Sequence, residues 1–279
     1  MTHEQGNTNR PQSNGRVALV TGAARGIGAA TVCRLAVDGW SVVALDRAGD
    51  DPRLPYALGT PAELGATVAR AAGLASAPDR IVSVQADTCD TAAMAAAVAA
   101  AQARFGGLDA VLAVAGVAAG GVPLWEMPAA QLAAVIEIDL GGVITAARVG
   151  IPAMLRRPAP RQGRFIAVAS TAGTRGLPNL AAYCAAKAGV VGLVKALAAE
   201  LRGTGITANS VSPGSTDTPL LTESARLYGL PDSRPFAAQQ LIERLLDPDE
   251  VAAMLVWLAG PPGAGITGAD LAVDGGLSV

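Results

Sequence analysis

The chain has 279 residues, of which 51% are hydrophobic and 16% charged, and its formal net charge is −2. This length and apolar content suit one large domain or two small ones and argue against extensive disorder. The small net charge and an aromatic content of 3% argue against nucleic acid as a partner.

Histidine and cysteine usage excludes further classes of protein. The one histidine, His3, lies in the polar start of the chain, so a Ser-His-Asp or Cys-His hydrolase is excluded. We expect residues 1–15 to form a flexible tail without a signal peptide, and residues 16–279 to form a single domain. The cysteines form no C-x-x-C pair, which indicates no metal site and a reducing cytoplasm; they are Cys33, Cys89 and Cys184.

A glycine-rich turn follows the first buried-strand run, 17–20, and a helical pattern continues from it to Gly39. Such a turn points unpaired backbone N–H groups and the positive end of the helix at one spot, which favours a pyrophosphate. The spacing is G-x-x-x-G-x-G instead of the general G-x-G-x-x-G. We predict a dinucleotide site at Gly22, Arg25, Gly26, Ile27 and Gly28.

The second strand run, 40–45, ends at Asp46. A carboxylate there can accept hydrogen bonds from the adenosine ribose and would repel a 2′-phosphate, so we predict NAD as the cofactor. Arg25 and Arg47 could instead pair with a 2′-phosphate, which leaves NADP open. At the end of the third strand run, Asp87 either contacts the adenine amino group or is a turn acid, and Thr88 follows it in the predicted cofactor site.

Further apolar runs alternate between strand and helix patterns. The strands are predicted at 80–85, 110–115, 164–169, 206–211 and 270–273, and the helices at 62–75, 91–105, 132–155, 181–201 and 249–259. This alternation predicts an α/β fold: a single Rossmann-like, doubly wound parallel sheet with helices on both faces. Thr60 and Asp90 are predicted to cap the helices that follow them.

Tyr183 and Lys187 lie four residues apart, so they project from one face of a helix. Ser170 ends the preceding strand, on the edge of a parallel sheet where ligands bind. A phenol with a pKa of ~10 is a poor base at neutral pH, and a neighbouring ammonium stabilises its phenolate. We predict that Tyr183 exchanges a proton with a substrate hydroxyl, that Ser170 holds that oxygen, and that hydride passes to or from a nicotinamide.

Together these motifs resemble the short-chain dehydrogenase/reductase family over residues 15–279. The resemblance rests on TGAARGIG at 21–28, the acid at 46, Ser170, YCAAK at 183–187, PG at 213–214 and VDGG at 273–276. It implies that Lys187 also hydrogen-bonds the nicotinamide ribose and that the enzyme is a homotetramer, as the apolar helix around Tyr183 also suggests. It further implies a nicotinamide-end site formed by Pro213, Gly214, Thr216 and Thr218.

The chain departs from the family pattern at two places. The sequence AVAG at 113–116 replaces N-N-A-G, so Ala115 and Gly116 can keep the ribose contact while packing must replace the bracing asparagine. Asp139 occupies the position of the family's catalytic asparagine, whose backbone carbonyl holds a water in a proton relay. A charged Asp139 would partly cancel the field of Lys187 that acidifies Tyr183.

Residues 47–79 form a polar, proline-rich insertion on the cofactor side. It resembles the insertion of short-chain dehydrogenases associated with the redox cofactor mycofactocin, in which the insert is thought to cover NAD. The resemblance implies tightly held NAD that an external redox carrier reoxidises; a plain surface loop is the alternative.

We expect residues 219–246 to fold over the substrate as a loop. Their apolar side chains predict an apolar alcohol or ketone as substrate; they are Leu220, Leu221, Leu227, Tyr228, Leu230 and Phe236. Arg226 and Arg234 keep a carboxylate-bearing substrate possible. The alternatives are a nucleotide-sensing binding protein, an NADP-dependent carbonyl reductase, and an epimerase or dehydratase.

Overall fold

The computed structural model describes residues 15–279, so the predicted tail lies outside the described residues except for Gly15. A seven-stranded parallel sheet has the strand order β3-β2-β1-β4-β5-β6-β7. The strands are β1 (Val17–Thr21), β2 (Ser41–Asp46), β3 (Ile81–Gln85), β4 (Ala110–Ala113), β5 (Arg164–Val168), β6 (Thr207–Pro213) and β7 (Asp270–Val273). The predicted doubly wound parallel sheet is confirmed.

Helices cover both faces of the sheet, and the inner strands are buried on both sides, as expected for parallel strands. In β1, Val17 and Leu19 pack into one apolar layer while Ala18 and Val20 pack into the other. The helices are α1 (Gly26–Val37), α2 (Pro61–Leu74), α3 (Thr91–Phe105), α4 (Ala129–Ile136), α5 (Gly142–Leu155), α6 (Ala181–Glu200), α7 (Pro219–Leu227) and α8 (Pro248–Ala259).

Two helix starts follow the predicted caps. Thr60 and Glu63 form a reciprocal capping box at the start of α2, with Pro61 at the first helical position. The Asp90 carboxylate accepts hydrogen bonds from two backbone N–H groups at the start of α3. Both predictions are confirmed. Caps can be predicted from sequence because each depends on a few consecutive residues.

The helix predicted at 132–155 is not continuous. It begins at Ala129 and is interrupted by a π-helical turn, Glu137–Gly141, between α4 and α5. A π-helical turn keeps the helical backbone region while adding a residue, so apolar periodicity does not detect it. The turn carries Asp139 into the interior of the protein.

The helix α6 is long and apolar enough to cross a membrane by those two criteria alone. In this fold it packs against β5, β6 and α4 and buries Lys187 at the side of the sheet. The core helix of a soluble protein passes the same two criteria, so one such helix is weak evidence for a membrane span.

Candidate active site

A cavity of about 710 Å³ opens at the carboxyl ends of the parallel strands. This is the edge of a doubly wound sheet at which ligands bind. All predicted site residues except Asp139 line the cavity: Gly22, Arg25, Gly26, Ile27, Gly28, Asp46, Arg47, Asp87, Thr88, Ala115, Gly116, Ser170, Tyr183, Lys187, Pro213, Gly214, Thr216 and Thr218.

The glycine turn after β1 leaves no room for side chains. Gly22 has a φ of +68°, and a Cβ atom on it would lie 2.7 Å from the Ala115 Cα. A Cβ on Gly28 would lie 2.0 Å from the Gly22 carbonyl oxygen. Arg25, at the N-cap of α1, makes no side-chain cap, so the first N–H groups of the helix stay available to an anion. These features fit a dinucleotide pyrophosphate.

The carboxylate of Asp46 lies at the end of β2, beside that turn. Its two oxygens accept hydrogen bonds from the backbone N–H groups of Ala24 (3.0 Å) and Ala48 (2.8 Å). Each carboxylate oxygen has a further lone pair, so the group can still accept a hydrogen bond from a ribose hydroxyl.

The two arginines that could have bound a 2′-phosphate each contact other residues. Arg25 donates a hydrogen bond to the carbonyl of Ala57 (2.9 Å), and Arg47 pairs with Asp51 (2.7 Å). Arg47 is paired with both Asp51 and Asp87, whereas Arg25 lines the cavity with donors left over, so the preference for NAD at this position comes from the Asp46 carboxylate.

Residues 47–60, here called the 47–60 loop, are held by an ion-pair network around the buried Asp51. Asp51 is 2% exposed and accepts hydrogen bonds from the side chains of Arg47 and Arg53. These contacts hold the pKa of Asp51 well below its ordinary value. Arg53 also forms an ion pair with Glu137 in the π-helical turn.

The far end of this loop reaches the catalytic side of the cavity. The Tyr56 hydroxyl accepts a hydrogen bond from the Ala118 N–H (2.9 Å), and burial raises the pKa of this phenol. Tyr56, Leu58 and Gly59 line the cavity together with the predicted cofactor residues. The loop is therefore a wall of the site.

A threonine at the end of β1 binds the backbone after β4, where the family pattern has an asparagine. The Thr21 hydroxyl accepts hydrogen bonds from the N–H groups of Val114 (3.0 Å) and Ala115 (3.2 Å). These two hydrogen bonds join the end of β1 to the residues after β4, and Ala113 beside them is buried.

Ser170, Tyr183 and Lys187 meet on one wall of the cavity. Lys187 is 2% exposed; its Nζ donates to the Val168 carbonyl (3.2 Å) and lies 5.5 Å from the centroid of the Tyr183 ring. Burial raises the pKa of Tyr183, the negative charge of Asp139 raises it further, and a hydrogen bond with Ser170 lowers it. The pKa of the Tyr183 phenol is therefore raised in this structure, and not lowered as the sequence predicted from the neighbouring Lys187.

Asp139 lies behind this wall and is fully buried. Its Oδ1 accepts a hydrogen bond from the Val117 N–H (2.7 Å), whereas its Oδ2 has no partner among residues 15–279. A Cβ on Gly116 would lie 3.1 Å from this Oδ1 and 3.3 Å from the Lys187 Nζ. Burial raises the pKa of Asp139 to about 6, against the opposing effects of Lys187 and the Val117 N–H.

The other end of the cavity is mostly apolar. Tyr228 packs edge-on against Phe236, with ring centroids 6.1 Å apart, and its hydroxyl donates to the Pro178 carbonyl (2.9 Å). Of the predicted substrate-loop residues, Leu227 lies against Gly121 instead of lining the cavity. The residues that do line this end include Leu177, Leu180, Leu220, Leu221, Tyr228, Leu230, Phe236 and Leu277.

The arginine that lines this end of the cavity is not one of the two that the sequence suggested for a carboxylate-bearing substrate. Arg226 pairs with Glu223, Arg234 pairs with Asp232, and neither arginine lines the cavity. Arg175 does line it. Sequence reasoning missed Arg175 because no motif contains it. Its position five residues after Ser170 could have indicated that it lies near the site.

The fold and this site define a dinucleotide-dependent oxidoreductase. The chain belongs to the short-chain dehydrogenase/reductase family: residues 22–278 match the family described as Enoyl-(Acyl carrier protein) reductase. The chain is 42% identical to cis-4-hydroxycyclohexanecarboxylate dehydrogenase of Sinomonas cyclohexanicum over 94% of this chain and 96% of that one. It is 34% identical to 2-dehydro-3-deoxy-L-rhamnonate dehydrogenase (NAD(+)) of a Sphingomonas species, over 94% and 95%.

Solved structures agree with this assignment. Carveol dehydrogenase from Mycobacterium avium in complex with NAD is similar with a TM-score of 0.88 and 32% identity, over 97% of this chain and 99% of that one. The protein is an NAD-dependent short-chain dehydrogenase acting on alcohols, so the predicted cofactor and enzyme class are confirmed.

Proposed function

We propose that this enzyme oxidises a secondary alcohol on a six-membered ring, with Tyr183 as the base. The observation that carries the proposal is the meeting of Ser170, Tyr183 and Lys187 between the nucleotide end and the apolar end of one cavity. The names of two similar proteins support the ring: 4-hydroxycyclohexanecarboxylate and carveol are both six-membered-ring secondary alcohols.

The three side chains divide the proton chemistry between them. Ser170 holds the alcohol oxygen by a hydrogen bond, and Tyr183, as the phenolate, takes the hydroxyl proton. The Lys187 ammonium stabilises that phenolate and also binds the nicotinamide ribose. NAD, when bound, accepts the hydride from the carbinol carbon. In the reverse direction Tyr183 returns the proton to the ketone oxygen.

The nucleotide end would hold NAD through backbone groups and two carboxylates. The turn at Gly22, Gly26 and Gly28 binds the pyrophosphate, Asp46 binds the adenosine ribose and Asp87 binds the adenine amino group. The remaining cofactor contacts come from Arg25, Ile27, Arg47, Thr88, Ala115, Gly116, Pro213, Gly214, Thr216 and Thr218. Asp139 supports the proton path through its backbone carbonyl, beside Lys187.

NAD is held tightly, and an external redox carrier of the mycofactocin type reoxidises it in place. The support is the 47–60 loop, which lines the cavity with Tyr56, Leu58 and Gly59 and is fixed by the network around Asp51. Prolonged dialysis followed by denaturation should release one NAD or NADH per chain. Recovery of no nucleotide, with normal turnover on added NAD, would contradict retention and leave an ordinary dehydrogenase.

The enzyme works as a homotetramer in the cytoplasm. Among the described residues the three cysteines are free thiols, which suits a reducing compartment. The helix α6 exposes small residues, among them Ala181, Ala185, Ala188 and Gly192, on a face that a second copy can cover.

The Tyr183→Phe variant tests the proposed chemistry, with cis-4-hydroxycyclohexanecarboxylate and cyclohexanol as substrates. Loss of the base should lower kcat by about 10²- to 10⁴-fold, while the amount of nucleotide that denaturation releases stays at the wild-type level. Tyr228→Phe is the matched control: it removes a hydroxyl whose one bond within residues 15–279 goes to the Pro178 carbonyl, and it keeps the ring that lines the cavity, so most of kcat should remain. Turnover by Tyr183→Phe at the wild-type rate would contradict the mechanism.

A further inference from the structure

Arg175 is the charged side chain at the substrate end of the cavity. Among the described residues lining that end, beyond Tyr183 and Lys187, the others are apolar or uncharged. The charged residues Arg25, Asp46, Arg47 and Asp87 belong to the nucleotide end. Arg175 is itself exposed to solvent at the cavity lining, so a substrate that lies against Ser170 and Tyr183 meets, outside the nucleotide end and the catalytic pair, one further formal charge, and that charge is positive.

The position of this guanidinium is set by the C-terminal segment. Its Nη1 donates a hydrogen bond to the Leu277 carbonyl (2.8 Å), and Leu277 itself lines the cavity. The Arg175 backbone N–H donates to the Thr171 carbonyl (2.9 Å), next to Ser170. The arginine is thus fixed at both its backbone and its tip.

The hydrogen-bonding capacity of Arg175 is largely unused. A guanidinium carries five N–H donors, and within residues 15–279 the side chain makes the Leu277 bond and no ion pair. By contrast, Arg226 and Arg234 are each neutralised by an adjacent acid. Planar guanidinium groups bind carboxylates through two parallel hydrogen bonds.

We propose that Arg175 binds a carboxylate of the substrate, so that the enzyme selects ring alcohols bearing an acid group remote from the hydroxyl. This inference rests on the proposed oxidation of a ring alcohol. The apolar wall accommodates the ring, Ser170 and Tyr183 hold its hydroxyl, and Arg175 orients the opposite end. A neutral alcohol of the same shape lacks that contact and is oxidised less efficiently.

Kinetics with two matched substrates test the inference. The probes are cis-4-hydroxycyclohexanecarboxylate and the corresponding carboxamide, which has nearly the same shape but no charge. Wild type should favour the acid, and Arg175→Gln should lower kcat/KM for the acid by about 10- to 100-fold, mainly through KM. Its kcat/KM for the amide should change by less than about threefold.

A control variant separates this contact from the general effect of removing a positive charge. Arg234→Gln removes an arginine whose side chain is 86% exposed and which lies outside the cavity lining. It should keep the wild-type preference for the acid. Equal losses on acid and amide in Arg175→Gln would show that Arg175 only clamps the C-terminal segment, and the inference would be overturned. No preference for the acid in wild type would also overturn it.

A binding measurement keeps the inference separate from the proposed reaction. Cyclohexanecarboxylate has no hydroxyl to oxidise, so its binding to the NAD-loaded enzyme reports the carboxylate contact alone. Calorimetry should detect binding to wild type and to Arg234→Gln and at least tenfold weaker binding to Arg175→Gln. Arginine-dependent binding without oxidation of either alcohol would refute the proposed reaction while supporting the carboxylate site. Oxidation of both alcohols, together with equal binding of cyclohexanecarboxylate to all three proteins, would support the proposed reaction and refute the carboxylate site.

Discussion

The 47–60 loop and the π-helical turn at 137–141 each bury one carboxylate, but the two acids have opposite environments. Asp51 is 2% exposed and accepts hydrogen bonds from two arginine side chains. Asp139 is fully buried, accepts one hydrogen bond from a backbone N–H, and leaves its Oδ2 without a partner among the described residues. The charge of Asp51 is paired within a structural network, whereas the carboxylate of Asp139 has no ion-pair partner within residues 15–279 and lies beside Lys187.

This difference gives the two acids opposite effects on stability as the pH changes. The pKa of Asp51 is lowered in the folded protein, so its stabilisation is present above the ordinary carboxyl range and is lost as the pH falls below it. The pKa of Asp139 is raised to about 6, so stability falls as the pH rises from about 4 to 6 and remains lower above pH 6. A buried acid in this protein therefore strengthens the fold only where the chain supplies its partners.

The largest effect is expected from Asp51→Asn. It leaves Arg47 and Arg53 without their shared buried acceptor, and we expect a loss of about 3 kcal/mol in the free energy of unfolding. Urea denaturation at neutral pH measures this loss. Asp232→Asn is the control, because it breaks a surface pair with Arg234 and should cost far less stability than Asp51→Asn. Equal losses of unfolding free energy in the two variants would show that the Asp51 network does not stabilise the fold.

Asp139→Asn should act in the opposite direction. Because the amide carries no charge to bury, the variant should be more stable than wild type by about 2 kcal/mol above pH 6 and equally stable below about pH 4. Denaturation at several pH values measures the difference. A constant difference across that range would show that ionisation of Asp139 is not its cause.

The same variant also tests the electrostatic link to Tyr183. The Asp139 carboxylate raises the pKa of the phenol, so its removal should lower that pKa and move the rise of alcohol oxidation with pH to lower values. The pH profile of kcat/KM measures this shift, and Asp87→Asn, which removes a carboxylate from the far end of the cavity, is its control. An unchanged profile would mean that Asp139 does not act on the base.

The smallest effect is expected from Tyr56→Phe. The change leaves the Ala118 N–H without its acceptor and should cost about 1 kcal/mol of stability. If the 47–60 loop retains NAD, the same change should speed NAD release about fivefold, which a displacement assay measures. A stability loss without faster release would limit Tyr56 to a structural role.

Local sequence patterns determined much of the fold and the position of the site. Apolar runs predicted the seven strands, and Thr60 and Asp90 marked two helix starts correctly. The four-residue spacing of Tyr183 and Lys187 placed both on one helix face. These features are predictable because each depends on a few neighbouring residues and on the fixed geometry of a helix or a parallel sheet.

Tertiary structure alone decided how the charged and polar groups are paired. Asp139 was visible in the sequence, but its complete burial and its unpartnered oxygen arise from the π-helical turn. The choice of Arg175 over Arg226 and Arg234 as the cation facing the cavity depends on which acids lie beside each one. Hydrogen bonds and ion pairs act over a few ångströms in space and join residues far apart in the chain, so no local pattern encodes them.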